Sequence, residues 1–110
     1  SEREREIAMG VHSRSPILGG RQSALTVDDT AGGITLTIPS AANTAEIYVE
    51  TAPIRFTRDG TTPSGTVGFI AFPNDIIVLN SRKELVNMKM FEDTATDASV
   101  EVEYFSDVSG

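Results

Sequence analysis

The stretch AEIYVETAPIRFTRDGTTPSGTVGFIAF, residues Ala45–Phe72, decides the fold. Successive side chains of an extended chain point to opposite faces. Ala45, Ile47 and Val49 therefore face one way, and Glu46, Tyr48 and Glu50 the other. Thr51-Ala52-Pro53 interrupts the run. Proline has no N–H to give to a ladder, so Pro53 marks a strand start, an edge or a bend. Ile54 and Phe56 then alternate with Arg55 and Thr57. Asp59-Gly60 is a strong turn signal, and Thr61-Thr62-Pro63-Ser64-Gly65 widens it into a loop. An apolar run from Val67 to Phe72 follows. This is the pattern of paired strands, around which the rest of the domain is expected to be built.

Downstream, Asp75–Leu79 reads as a further strand after Pro73-Asn74. Ile76-Ile77-Val78-Leu79 is apolar on both faces, which predicts deep burial or an interface. Ser81-Arg82-Lys83-Glu84 has capping-box spacing and can start one helical turn through Leu85 and Val86. A strand over Asn87–Phe91, a polar loop over Glu92–Asp97 and a closing strand over Ala98–Phe105 complete the chain. In the last strand Val100, Val102 and Tyr104 point inward, and Ser99, Glu101 and Glu103 outward.

Upstream, Ala24–Val27 is a short strand, and Asp28–Gly33 has turn chemistry. Ile34, Leu36 and Ile38 alternate with Thr35 and Thr37 as a half-buried strand that Pro39 ends. Residues 1–21 look different. Charges alternate, apolar residues are scattered, and Pro16 with Gly19-Gly20 breaks any element there. The expected organisation is an extended N-terminal arm over 1–21 and a body over 22–110. The arm's Ile7, Met9, Val11, Ile17 and Leu18 suit docking onto a partner, since pure linkers are more polar. About seven or eight short strands at roughly ten-residue spacing predict an all-β domain. The class is a small antiparallel β-sandwich or jelly-roll-like barrel.

The 110 residues suffice for one domain and one core. There is no cysteine, which fits synthesis in the cytoplasm and removes disulfides and thiolate-held metal. No apolar run is long enough to span a membrane. The N-terminal SEREREIAMG has no apolar core of a secretory signal. Net charge is −7. Glu2, Glu4 and Glu6 balance Arg3, Arg5 and Arg14, so the whole excess lies in the body. An acidic body repels phosphate backbones, which argues against nucleic acid as a partner. It favours solubility, or docking onto a basic protein surface.

His12 is the single histidine and lies in the arm. The body therefore has no Ser–His or Cys–His pair and no imidazole for a metal. The loop carboxylates Asp28, Asp29, Asp59, Glu92, Asp93 and Asp97 do not match an EF-hand. No phosphate-binding glycine motif occurs, so no cofactor is implied. Tyr48 faces outward and is a candidate for surface contact. Phe56, Phe69, Phe72, Phe91 and Phe105 read as core or interface. Arg55 and Arg58 flank the Asp59-Gly60 turn. These three residues either fix the loop by an internal pair or make contacts between subunits.

The segment Glu50–Ser64, read as E-x-APIR-F-x-x-DGT-x-P-S, and the closing DAS-x-x-V-x-YF of Asp97–Phe105 resemble a group of small structural proteins of tailed bacteriophages. The likeness covers about residues 22–105. It implies a non-enzymatic virion protein of β-sandwich type, most often a head decoration or cement protein. Such a protein binds the outer surface of the major capsid protein lattice, commonly as homotrimers at local threefold positions. Its expected place is the exterior of the phage head. The same resemblance leaves neck and tail roles open, and the fold class alone also admits a carbohydrate- or receptor-binding module.

Overall fold

The computed structural model describes residues 13–108, and side chains from 14 to 106. Among the described residues the chain is all-β, with two antiparallel sheets and one short helix. The strands are β1 (Ser13–Val27), β2 (Thr44–Val49), β3 (Ile54–Thr57), β4 (Phe69–Ala71), β5 (Ile76–Leu79), β6 (Lys89–Glu92) and β7 (Ala98–Val108). Helix α1 (Arg82–Asn87) sits between β5 and β6. One sheet has the order β1-β7-β2-β5, the other β4-β3-β6.

The alternation in β2 and β7 carries the core. Ala45, Ile47 and Val49 are buried, as are Val100, Val102 and Tyr104 on the neighbouring strand. Ile47 lies opposite Val102 on one side and Ile77 on the other. From the second sheet Ile54 and Met90 meet this layer, and Leu85 of α1 with Met88 after it closes one end. The core is thus almost wholly aliphatic. The one ring in its centre is Tyr104, whose hydroxyl donates to Gln22 Oε1. Gln22 Oε1 also accepts Thr37 N–H at 3.1 Å, so one amide ties β1 and the 35–38 segment to β7.

Pro53 bends the chain between sheets. β2 belongs to the first sheet and β3 to the second, and Thr51-Ala52-Pro53 carries the crossing. Asp93 N–H donates to Pro53 O at 3.3 Å, so the residue without a donor still serves as an acceptor. The paired strands of the opening stretch are β3 and β4, with Ile54 opposite Ala71 and Phe56 opposite Phe69.

Two expectations are corrected. Ile34–Ile38 forms no strand. Ile34 makes an isolated bridge to Met90, with bonds of 2.7 and 2.9 Å, and no ladder continues from it. Ile34, Leu36 and Ile38 still turn toward the core while Thr35 and Thr37 are exposed. Pro16 and Gly19-Gly20 do not break the chain either, because β1 runs through them as far as Val27. The extra residues are absorbed as bulges between Pro16 and Arg21 and between Gln22 and Leu25. Gly19 supplies the left-handed backbone, φ +73°, that the first bulge needs. Glu101 of β7 holds the second. Its carboxylate accepts from Arg21 Nη2 and Ser23 Oγ, each at 2.7 Å, and from Ala24 N–H at 3.4 Å. The Arg21 guanidinium, with Ser23 adding to it, holds the Glu101 carboxyl below its ordinary pKa. A boundary at residue 21 therefore falls inside β1, where Ser13–Pro16 and Arg21 pair with β7.

Ser81 caps α1 as its spacing predicts. Glu84 N–H donates to Ser81 Oγ at 3.2 Å. The return bond falls one residue early, with Asn80 N–H donating to Glu84 Oε1 at 2.6 Å.

Candidate interaction surface

The surface that stands apart is built by β4 and β5, the strands on either side of the turn 72–75. In that turn Phe72 N–H donates to Asp75 Oδ2 and Asp75 N–H returns to Phe72 O, both at 2.8 Å. The turn carries the chain from the edge of the second sheet to the edge of the first. Among the described residues each of these strands has a neighbour on one side only. Unpaired edges are normally short, charged or covered. Here they are short but apolar. Phe69 is 67 % exposed, Phe72 55 % and Ile76 52 %, with Val67, Ile70 and Val78 also exposed.

The loop leading into β4 is fixed by its own polar groups. Asp59 Oδ1 accepts Thr61 N–H at 3.0 Å, and this bond lowers the carboxyl's pKa. Thr57 Oγ1 donates to Thr61 O at 2.6 Å, and Lys89 Nζ to Gly60 O at 3.2 Å. Gly68, at φ +120°, brings the chain against β3, where a Cβ would stand 3.1 Å from Phe56 O. Phe69 then meets Phe56 with ring centroids 6.0 Å apart. Two shallow hollows result. One is lined by Thr61, Val67, Phe69 and Glu84 at the loop end. The other is a groove of about 500 Å³ between the β4 and β5 edges, where Ile70, Ala71, Ile76, Ile77 and Val78 share the lining with Arg58, Asp75 and Asn80.

The residues singled out from sequence do not converge. Arg55 donates from Nε to Asp93 Oδ1 at 2.8 Å and from Nη1 to Gly68 O at 3.1 Å, so it pairs within the chain with Asp93 rather than Asp59. Arg58 is exposed and lies 5.9 Å from the Phe56 ring centroid. The Tyr48 hydroxyl donates to Glu46 Oε1 at 2.5 Å, a bond that raises its pKa. Ile17 packs against the core and Leu18 is 98 % exposed. Ile7, Met9, Val11 and His12 lie outside the described residues. The deep burial open to Ile76–Leu79 is not found. Ile77 and Leu79 are buried, but Ile76 and Val78 are exposed because alternate side chains of β5 point to the outer face of the sheet. Phe69 and Phe72 are likewise not core. A position at the edge of a sheet leaves no mark in a local pattern of polar and apolar residues.

Among the described residues Glu92 is the one buried carboxylate. Burial raises its pKa, and so do the contact with Asp97 and the charges of Asp29, Asp97 and Asp28. Nearby Asp28 is shifted the other way, chiefly by the Thr30 hydroxyl at 2.6 Å. The fold thus favours the protonated form of Glu92. Its contribution to stability is present at low pH and lost as pH rises through its raised pKa. Glu92→Gln is therefore expected to melt higher than the native protein at pH 7. The advantage should shrink as pH falls below the ordinary carboxylate range. Melting curves at several pH values test this, and equal or lower stability of the variant at pH 7 would refute it.

Among the described residues no group of His, Cys, Asp or Glu side chains is placed to hold a metal ion. No helix among them is long and apolar enough to cross a membrane. Comparison with protein-family models, with curated proteins and with solved structures finds no match to this chain.

Proposed function

We propose that the protein is a non-enzymatic structural component of a phage virion, a decoration protein that docks on the outer surface of the capsid lattice and stabilises the head. On this reading the two sheets form a β-sandwich, with an arm preceding it. The observation that carries the reading is the exposed apolar edge of β4 and the loop before it, on an otherwise acidic body. Contiguous exposed apolar surface marks protein contact sites. The segment Glu50–Ser64, which carries the family resemblance, runs into the loop that presents Val67 and Phe69. A rigid loop and a modest patch are enough when many copies engage one lattice, because each bound copy needs only a standard or small interface.

Co-sedimentation with undecorated heads tests the proposal. The purified protein should bind in fixed ratio to the coat protein and raise the temperature at which heads disrupt. Phe69→Asp should weaken binding by roughly tenfold or more, as for one lost apolar anchor. Recovery of the protein only with isolated necks or tails would replace the head assignment with a neck or tail role.

A further inference from the structure

The groove between the β4 and β5 edges calls for an occupant distinct from the lattice. Val49 N–H donates to Asp75 O. The alternation of an antiparallel ladder then turns the backbone groups of Ile77 and Leu79 toward β2 and those of Ile76 and Val78 toward the free side. An added strand would find both outward-facing backbone groups and an apolar wall of Ile70, Ala71 and Ile77, with Arg58, Asp75 and Asn80 as the polar part of the lining. The chain carries a segment of matching chemistry in Ile7-Ala8-Met9-Gly10-Val11. Its large apolar residues recur with a period of two, and Ala8 and Gly10 between them are small. That is the pattern of a strand with one face to bury.

The segment cannot reach the groove of its own chain. Ser13 lies opposite Val108 at the β1 edge, three strands from β5. Leu79, at the near end of the groove, lines up through Ala45 with Tyr104, and Tyr104 precedes Val108 by four residues. With about 4.8 Å between strands and about 3.3 Å per residue, the free side of β5 is roughly 23 Å from Ser13. An extended chain covers at most about 3.5 Å per residue, so Val11 reaches about 7 Å, Met9 about 14 Å and Ile7 about 21 Å from Ser13.

We propose that Ile7–Val11 of a second copy of this chain adds as a strand along β5 and fills the groove. The contact is head-to-tail: each copy gives an arm and receives one. Such contacts close into a ring where the rotation permits and otherwise propagate. Main-chain bonds to the β5 edge supply affinity, and the apolar wall supplies selectivity. The inference does not rest on the lattice-docking proposal, which uses Val67 and Phe69 rather than the groove.

Sedimentation of the full chain and of two double variants tests it. Ile7→Lys with Met9→Lys spoils the arm. Ile76→Lys with Val78→Lys spoils the groove at exposed positions, leaving the core intact; native-like melting of each variant shows that it is folded. The native chain should self-associate reversibly. Each double variant alone should associate about a hundredfold more weakly, tenfold for each lost apolar anchor. A mixture of the two should give a one-to-one dimer that grows no further, since one intact arm meets one intact groove. A native chain that stays monomeric at millimolar concentration overturns the proposal. So does native-strength association of either variant alone, or a mixture that remains monomeric. Head binding without self-association would sink this inference and leave the decoration proposal standing, and the reverse result would do the opposite.

Discussion

Ile47→Ala is expected to destabilise the fold by about 3–4 kcal/mol, in the range for truncating a buried aliphatic side chain. Ile47 is fully buried in β2, between Val102 of β7 and Ile77 of β5, where the layer from Ile54 and Met90 meets it. Truncation removes the side chain's burial and leaves a space that strands held on both sides cannot collapse into. Ile76→Ala, on the adjacent edge strand but 52 % exposed, should change stability by no more than about 0.5 kcal/mol. Urea unfolding of both variants makes the comparison. Equal effects would mean that β5 and β2 do not divide inner from outer faces as described.

The next largest expected effect lies at Arg55 and Asp93. Their side chains are 20 % and 15 % exposed, and the 2.8 Å bond between them is joined by the 3.1 Å bond from Arg55 to Gly68 O. Removing one partner strands the other in a largely enclosed place. Full burial would put that loss at several kcal/mol, but partial access to water reduces it. Asp93→Ala is expected to cost about 2 kcal/mol, in line with a hydrogen bond to a charged group. Arg55→Lys should keep little of the pair's contribution, because an ammonium cannot serve Asp93 and Gly68 O together in the fork that a guanidinium presents. A double-mutant cycle of Arg55→Ala and Asp93→Ala should return a coupling of about 1 kcal/mol or more. Coupling near zero would reduce the pair to an ordinary surface contact.

These two sites also divide what the sequence discloses from what it conceals. Ile47 is legible because a strand between two neighbours has one wet and one dry face, and the period-two pattern records which is which. The same holds for Val100, Val102 and Tyr104. The Ser81 cap is legible because both of its partners lie within four residues. The Arg55 partner is not, since Asp93 is 38 residues away and only the topology of the second sheet brings it near. Asp59, the nearer carboxylate, is taken up by its own turn. Ile34–Ile38 shows a further limit. Alternation reports which side chains face the core, and that requirement is met there by an extended segment with a single bridge. The passage of β1 through Pro16 and Gly19 is hidden for the opposite reason. Breaker residues disrupt a regular ladder, but the bulge between Pro16 and Arg21, with Gly19 in the left-handed region, accommodates them.

The candidate surface was half visible. The doubly apolar run Ile76–Leu79 announces either burial or an interface, and the structure buries Ile77 and Leu79 while it leaves Ile76 and Val78 exposed. The loop before β4 gave the resemblance on which the proposed function draws, while its exposed Phe69 was indistinguishable from core in the sequence. In the sequence Glu92 is one of several loop carboxylates. Its burial follows from β6 lying against Asp28, whose carbonyl accepts Glu92 N–H at 3.0 Å, and no sequence signal marks that contact.

The proposed place of this acidic β domain is the outside of a capsid. Imaging of intact virions by electron cryomicroscopy, with the protein labelled, tests it most directly. Density of this size is expected at regular lattice positions over the outer shell, with the Val67–Phe69 loop turned toward the coat. Density confined to the neck or tail, or none on the particle, would contradict it.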